Sequence, residues 1–159
     1  ATFLDFLRAA GCQVNAGPGA VRVCRDPHAP LKGGQEVFAA AWPGFATDTA
    51  PLAAAVLLTA DAPSRVYDGL FQNRFACAAG FAALGAQVQA NGRYLRIGGG
   101  ARLAGTVVTA PDLRGGAALV VAALAARGKT CVLDEGHIRR GYQALPDELA
   151  GLGAACRMA

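Results

Sequence analysis

Phe81-Ala82-Ala83-Leu84-Gly85-Ala86-Gln87-Val88 closes a helical run on a glycine and opens an extended one. The same phrase occurs twice more, as Leu7-Arg8-Ala9-Ala10-Gly11-Cys12-Gln13-Val14 and as Leu149-Ala150-Gly151-Leu152-Gly153-Ala154-Ala155-Cys156. A glycine that returns roughly every 70 residues marks a structural repeat. In each copy the glycine suits the left-handed position that ends a helix, where a side chain would be strained. Each copy therefore reads as helix, glycine cap, strand.

Working outward, the first helix opens on a capping box, Thr2-Phe3-Leu4-Asp5. Gly11 and Gly85 each lead into a hairpin, one turning at Gly17-Pro18-Gly19 and the other at Asn91-Gly92. Two longer runs, Ala50 to Ala60 and Leu113 to Ala126, are Ala/Val/Leu-rich with little polar face and predict buried helices. Each lies between strand-like segments: Glu36–Ala41 and Ser64–Asp68 flank the first, Thr106–Ala110 and Lys129–Asp134 the second. The unit is β-α-β-α-β-β. The chain divides into the tail of one unit (1–30), a full unit (31–100) and most of a third (101–159), which stops in its penultimate strand. Together they predict one incomplete domain of the α+β class, built from α/β-like repeats with the helices inside. An unfinished outer edge implies missing partner strands.

At 159 residues the chain is one domain or a large piece of one. It is 53% hydrophobic but only 7% aromatic, so the core is made of Ala, Val and Leu. The five cysteines are an odd number with no CxxC pair, and read as buried free thiols of a reducing cytoplasm. With only His28 and His137 beside them, no Cys/His spacing suggests a metal site. The longest apolar run, bracketed by Arg114 and Arg127, is too short to cross a bilayer, and no secretory leader is recognisable. The chain opens on Ala1 rather than Met, as expected of a piece of something longer.

The net charge is +4, and 13 of the 15 basic residues are arginine. They are scattered at turns and helix starts and form no lysine-rich run, which argues against a nucleic-acid track and for discrete anion sites. Arg74, Arg114 and Arg140 each stand beside a helix start, and Asp48 stands at a fourth. Guanidinium is the side chain for forked capture of carboxylate and phosphate. Three of them around one carboxylate suit a small, highly charged anion plus a base.

Four strings carry a resemblance. Gly44-Phe45-Ala46-Thr47-Asp48, Phe71-Gln72-Asn73-Arg74-Phe75, Asp112-Leu113-Arg114 and His137-Ile138-Arg139-Arg140-Gly141-Tyr142 resemble, in order and spacing, those of the UDP-N-acetylglucosamine 1-carboxyvinyltransferases. These are the enolpyruvyl transferases of early peptidoglycan synthesis. The likeness runs from about Glu36 to Arg157, and more weakly through the first helix and hairpin. It implies an inside-out α/β barrel of β-α-β-α-β-β units, an architecture whose repeat is also similar to RNA 3′-phosphate cyclase and to the C-terminal domain of translation initiation factor 3. It implies that the chain is most of a second domain, working with a first domain that supplies a lysine-asparagine pair and a catalytic-cysteine loop. The implied partners are phosphoenolpyruvate and UDP-N-acetylglucosamine, in the cytoplasm, with no cofactor, no metal, no membrane and no nucleic acid.

By the same resemblance, Asp48 matches the aspartate that takes the proton of the sugar 3-hydroxyl. Arg74, Arg114 and Arg140 match arginines lining the phosphoenolpyruvate site, Arg114 and Arg140 with a catalytic part. Leu70 and Phe71 match positions contacting the nucleotide sugar. The chain departs from the pattern at Ala46, Gln72, Cys77, Pro111, Gly115-Gly116 and Arg139, where the family usually has Pro, Glu, His, Thr, Ala-Ser and an acid. A non-catalytic relative or scaffold of the same fold, and an RNA-related module, are the alternative readings.

Plainer readings stand beside these. Asp48 and Asp112 each suit a helix cap or first-turn acid. Arg139 reads as surface, His137 as a turn or packing residue, and Trp42 as packing. Gly98-Gly99-Gly100 lacks the Gly-Lys-Ser/Thr of a phosphate loop and reads as a turn.

Overall fold

The computed structural model describes residues 2–157. α1 (Phe3–Ala9) is followed by a hairpin of β1 (Gln13–Gly17) and β2 (Ala20–Cys24). β3 (Glu36–Ala39), α2 (Ala50–Leu57), β4 (Ser64–Asp68), α3 (Ala78–Ala83), β5 (Val88–Asn91) and β6 (Tyr94–Ile97) come next. β7 (Val107–Thr109), α4 (Leu113–Leu124), β8 (Cys131–Leu133) and α5 (Leu145–Gly151) complete the order. From β3 to β6 the chain runs β-α-β-α-β-β, and from β7 onward it begins the same succession again.

The three repeat glycines do what their spacing predicts. Gly11, Gly85 and Gly153 have φ of +93°, +98° and +94°. Each ends its helix in the same two-bond cap: Gly11 N–H donates to Arg8 O and Cys12 N–H to Leu7 O, both at 3.0 Å. The corresponding pairs are Gly85 to Ala82 and Ala86 to Phe81, then Gly153 to Ala150 and Ala154 to Leu149. This motif satisfies two of the carbonyls that a helix end leaves open. Strands follow the first two caps, but among the described residues none follows Gly153. Thr2 and Asp5 form the expected capping box on α1.

The central sheet has the order β3-β4-β6-β5, with β3 parallel to β4 and the remaining pairs antiparallel. Its alternation is clean. Val37, Ala39, Val66, Leu95 and Ile97 point inward to the helices, while Glu36, Phe38, Arg65 and Arg96 point to solvent. On the outer face Phe38, Tyr67 and Tyr94 stand side by side across three strands, with ring centroids 4.8 and 4.5 Å apart. The helices form the interior: α2 buries all but two of its positions and packs against both α4 and the sheet. Glycines make room inside: Gly80 on α3 admits Leu119 of α4, while Gly115 and Gly116 on α4 admit Pro111 and Ile138. A Cβ on Gly80 would lie 2.5 Å from Leu119 Cδ2.

Two expectations are corrected. Of the five free cysteines only Cys77 is buried, and Cys12, Cys24, Cys131 and Cys156 are half-buried. Cys12 precedes β1, Cys24 ends β2, Cys131 opens β8 and Cys156 lies in the C-terminal segment, and none of the four joins the core cluster that holds Cys77. Trp42 does not pack. It is 90% exposed in the turn that it shares with Pro43. No helix among the described residues is long and apolar enough to cross a membrane.

Candidate functional site

β3 and β4 are parallel, as are β7 and β8. The loops leaving the carboxyl ends of such strands are where open α/β sheets place ligands. Asp48, Leu70, Phe71, Arg74, Arg114 and Arg140 all lie on segments that follow these ends. Asp48 sits in a single 3-10 turn (Thr47–Thr49) that feeds α2. Its position is set from below by Phe45, buried against the rings of Phe3 and Phe6 on α1. Asp48 makes no capping bond to its helix. The cap reading is instead met by Asp112, whose Oδ1 accepts the Arg114 and Gly115 N–H groups at 2.8 and 2.9 Å.

With its backbone N–H held by Asp112, Arg114 aims its guanidinium at Asp48. Nε donates to Oδ1 at 2.8 Å and Nη2 to Oδ2 at 3.1 Å, a two-pronged pair. The Asp48 carboxylate raises the Arg114 guanidinium above its ordinary value through this bond. Arg74 approaches the same carboxylate, Nη2 to Oδ1 at 3.4 Å. The two arginines differ in setting: the Arg74 side chain is 9% exposed, that of Arg114 40% and that of Asp48 57%. Two guanidiniums thus converge on one half-open carboxylate and present donors at its mouth, where an anionic group could compete for them.

Arg74 is fixed on three sides. Its guanidinium lies 4.3 Å above the Phe71 ring. Its Nε donates to Asp68 Oδ2 at 3.2 Å. Asp68 is fully buried, and its other oxygen accepts the Leu70 and Phe71 N–H groups, both at 2.8 Å. Thr47 Oγ1 donates to Asp68 Oδ2 as well. Burial pushes the Asp68 carboxyl up, but the hydrogen bonds from Thr47, Phe71, Leu70 and Arg74 outweigh it and hold the group below the usual carboxylate range. The sequence reading gives Asp68 no role beyond the last residue of the strand-like segment Ser64–Asp68. The signal was strand parity, because Ser64, Val66 and Asp68 share the buried face of β4.

The site thus brings together Asp48, Arg74 and Arg114, with Leu70 and Phe71 half-exposed beside them. It does not bring in Arg140. That side chain is exposed, forms no ion pair among the described residues, and has its Nη2 3.4 Å from His137 Nδ1. The turn that carries it is nevertheless built like the Asp68 turn. Asp134, the residue after β8, accepts the Ile138 N–H at 3.0 Å and the Arg139 N–H at 3.4 Å. Burial raises the Asp134 carboxyl, and these backbone bonds more than reverse the shift. His137 lies within that turn and Arg139 is exposed, as expected. The buried Cys77 thiol is pushed up to about 12, first by burial and then by Asp112, so it stays a neutral packing group. Among the described residues no three His, Cys, Asp or Glu side chains group to hold a metal ion.

Comparison with known proteins gives this geometry a context. The family model for EPSP synthase (3-phosphoshikimate 1-carboxyvinyltransferase) matches residues 1–149. The UDP-N-acetylglucosamine 1-carboxyvinyltransferase of Anaeromyxobacter sp. (strain K) is 41% identical over 155 residues, 97% of this chain and 36% of the relative. That of Methylocella silvestris is 37% identical over 151 residues, 95% of this chain and 35% of the relative. Among solved structures, the enolpyruvyl transferase NikO from Streptomyces tendae superposes with a TM-score of 0.85 at 32% identity, over 96% of this chain and 35% of that one. The EPSP synthase of Acinetobacter baumannii, at 18% identity and a TM-score of 0.61 over 89% of this chain and 34% of that one, shares the fold alone. The chain spans little more than a third of the length of the relatives it matches.

Proposed function

The chain belongs to the EPSP synthase (enolpyruvyl transferase) family and has its fold, and from that premise we propose that it is most of the second domain of a 1-carboxyvinyltransferase. The intact protein would move the enolpyruvyl group of phosphoenolpyruvate to the 3-hydroxyl of UDP-N-acetylglucosamine, in the cytoplasm, as a step of peptidoglycan synthesis. The missing first domain would close the other side of the site. The observation that carries this reading is the pair of guanidiniums on Asp48, from Arg114 at 2.8 Å and Arg74 at 3.4 Å, at the carboxyl end of the parallel strands.

The chemistry asks for these groups. The hydroxyl adds across the enol double bond, losing its proton while the methylene carbon gains one. A tetrahedral ketal results, still carrying carboxylate and phosphate; phosphate then leaves with the C–O electron pair as the new methyl group gives up a proton, which restores the double bond. In the proposed roles Asp48 takes the hydroxyl proton, and its half-open position leaves room for a substrate oxygen. Arg74 and Arg114 face the anionic carbon skeleton with charge that is already in place, so little reorganisation is needed as the ketal forms. Arg140 would join them on closure of the site, and Leu70 and Phe71 would meet the nucleotide sugar.

The test is phosphate release by the intact protein given both substrates, beside its Asp48→Ala variant. Release that vanishes in the variant is the expected result. Equal release from both removes Asp48 from the mechanism. A second reading, a non-catalytic relative that binds the anion, is favoured by Arg140 lying apart from the cluster with Arg139 beside it. It would appear as phosphoenolpyruvate binding without release from either protein.

A further inference from the structure

We propose that Asp68 is the positioning residue of this site: one buried carboxylate that sets Arg74, the Leu70-Phe71 turn and the segment carrying Asp48 in fixed relation. The inference rests on the roles proposed above for Arg74 and Asp48. Three parts of the chain meet on its two oxygens. Oδ1 takes the Leu70 and Phe71 N–H groups at 2.8 Å. Oδ2 takes Arg74 Nε at 3.2 Å and the Thr47 hydroxyl, one residue before Asp48.

The division of labour between the oxygens matters. The acceptor bonds from two successive N–H groups hold the turn, while the other oxygen orients the two side chains. Arg74 is nearly buried, so its Nε–H has no water to turn to, and the fork it leaves free, through Nη2, is the edge that faces Asp48. A charged acceptor on Nε fixes the plane of the guanidinium, hence the direction of its remaining donors. Thr47 reaches the same oxygen from the turn that holds Asp48. Asp68 therefore fixes the distance between the proposed base and the proposed anion-binding arginine without facing the ligand itself.

The experiment uses the intact protein with Asp68→Asn, Arg74→Ala, the double variant, and Thr47→Val. Asparagine keeps an acceptor for the two N–H groups but sets an amide against Thr47 and Arg74. The expected result for Asp68→Asn is a phosphoenolpyruvate KM raised about tenfold or more, with the nucleotide-sugar KM within about twofold of wild type. The double variant should be no worse than Arg74→Ala alone, because both remove one device. The Arg74 Nε–H resonance, assigned by its loss in Arg74→Ala, should lose its protection from solvent exchange in Asp68→Asn. A general loosening of the fold would move both KM values together and would overturn the proposal, as would multiplying effects in the double variant.

Should Asp68→Asn fail to fold, Thr47→Val tests the link to Asp48. A kcat lowered about tenfold at an unchanged phosphoenolpyruvate KM is expected, and wild-type kinetics would overturn it. If the wild type itself neither turns over nor binds phosphoenolpyruvate, the transferase reading falls, and the Nε–H signal alone decides on Asp68. Loss of protection in Asp68→Asn then upholds the positioning, and retained protection overturns it.

Discussion

Arg114 grips Asp48 with both prongs of its guanidinium, at 2.8 and 3.1 Å, across 66 residues of sequence. The grip ties the turn before α2 to the first turn of α4, two helices that pack on each other in the interior. Both side chains are well exposed, so the pair adds only about 0–1 kcal/mol to stability. Its value lies in direction, since a forked pair admits one orientation of the carboxylate.

Replacing the fork by a point charge should separate those two effects. Under the transferase reading proposed above, Arg114→Lys in the intact protein is expected to lower kcat/KM for phosphoenolpyruvate about 10- to 100-fold. The midpoint of thermal unfolding should hardly move. Phosphate-release kinetics and calorimetry check the two halves, and near-normal turnover would remove the fork from the site.

Asp68 predicts a pH dependence. Its folded carboxyl lies below the ordinary 3.8, because its hydrogen bonds outweigh burial. Such a group stabilises the fold above its unfolded value, and that contribution is lost as pH falls through the folded value. The wild type should exceed Asp68→Asn by about 2 kcal/mol in urea titrations near neutral pH. The gap should hold down to about pH 5 and narrow below about pH 4. A gap that widens on acidification would contradict the sign.

Gly116→Ala should destabilise although it improves helix propensity. The added Cβ would meet Ile138 Cγ1 at 2.7 Å and Ala110 Cβ at 2.9 Å. Overpacking of this kind costs about 1–3 kcal/mol, against a propensity gain of about 1. Equilibrium unfolding of the intact variant reads the balance, and an unchanged or raised midpoint would mean that Ile138 steps aside freely.

The thiol of Cys77, buried and raised to about 12, should resist alkylation of the native protein at pH 8 and react after denaturation. Mass spectrometry of the peptide spanning residues 75–93 would detect it. Rapid native labelling there would show that the interior around α3 and α4 opens.

Much of the fold was legible because it rests on short-range stereochemistry. Gly11, Gly85 and Gly153 needed positive φ, and no other residue type adopts it at so little cost. Asn91-Gly92 and the Thr2–Asp5 box work the same way. The convergence on Asp48 was legible only through resemblance, since nothing in the spacing of residues 48, 74 and 114 says that they meet. The direction of Arg140 was not legible, because its long side chain is decided by tertiary surroundings that the turn does not encode. The exposure of Cys12, Cys24 and Trp42 is decided by what packs over each segment, a property of the assembled molecule. Asp68 is legible in the alternation Ser64-Arg65-Val66-Tyr67-Asp68, which places a carboxylate on the same buried face as Ser64 and Val66.

That alternation has a consequence for how this sequence can change length. Asp68 faces the interior only by parity, an even number of steps from Ser64 and Val66. Deleting one residue of β4 ahead of Asp68 would bring Gly69 into its place and turn the carboxylate toward the face that Tyr67 occupies. The loop after Gly69 can tolerate substitution more readily than β4 can tolerate a shift of frame. Homologous chains carrying the same device should therefore vary in the composition of this strand while keeping the count of residues between its start and its acid fixed.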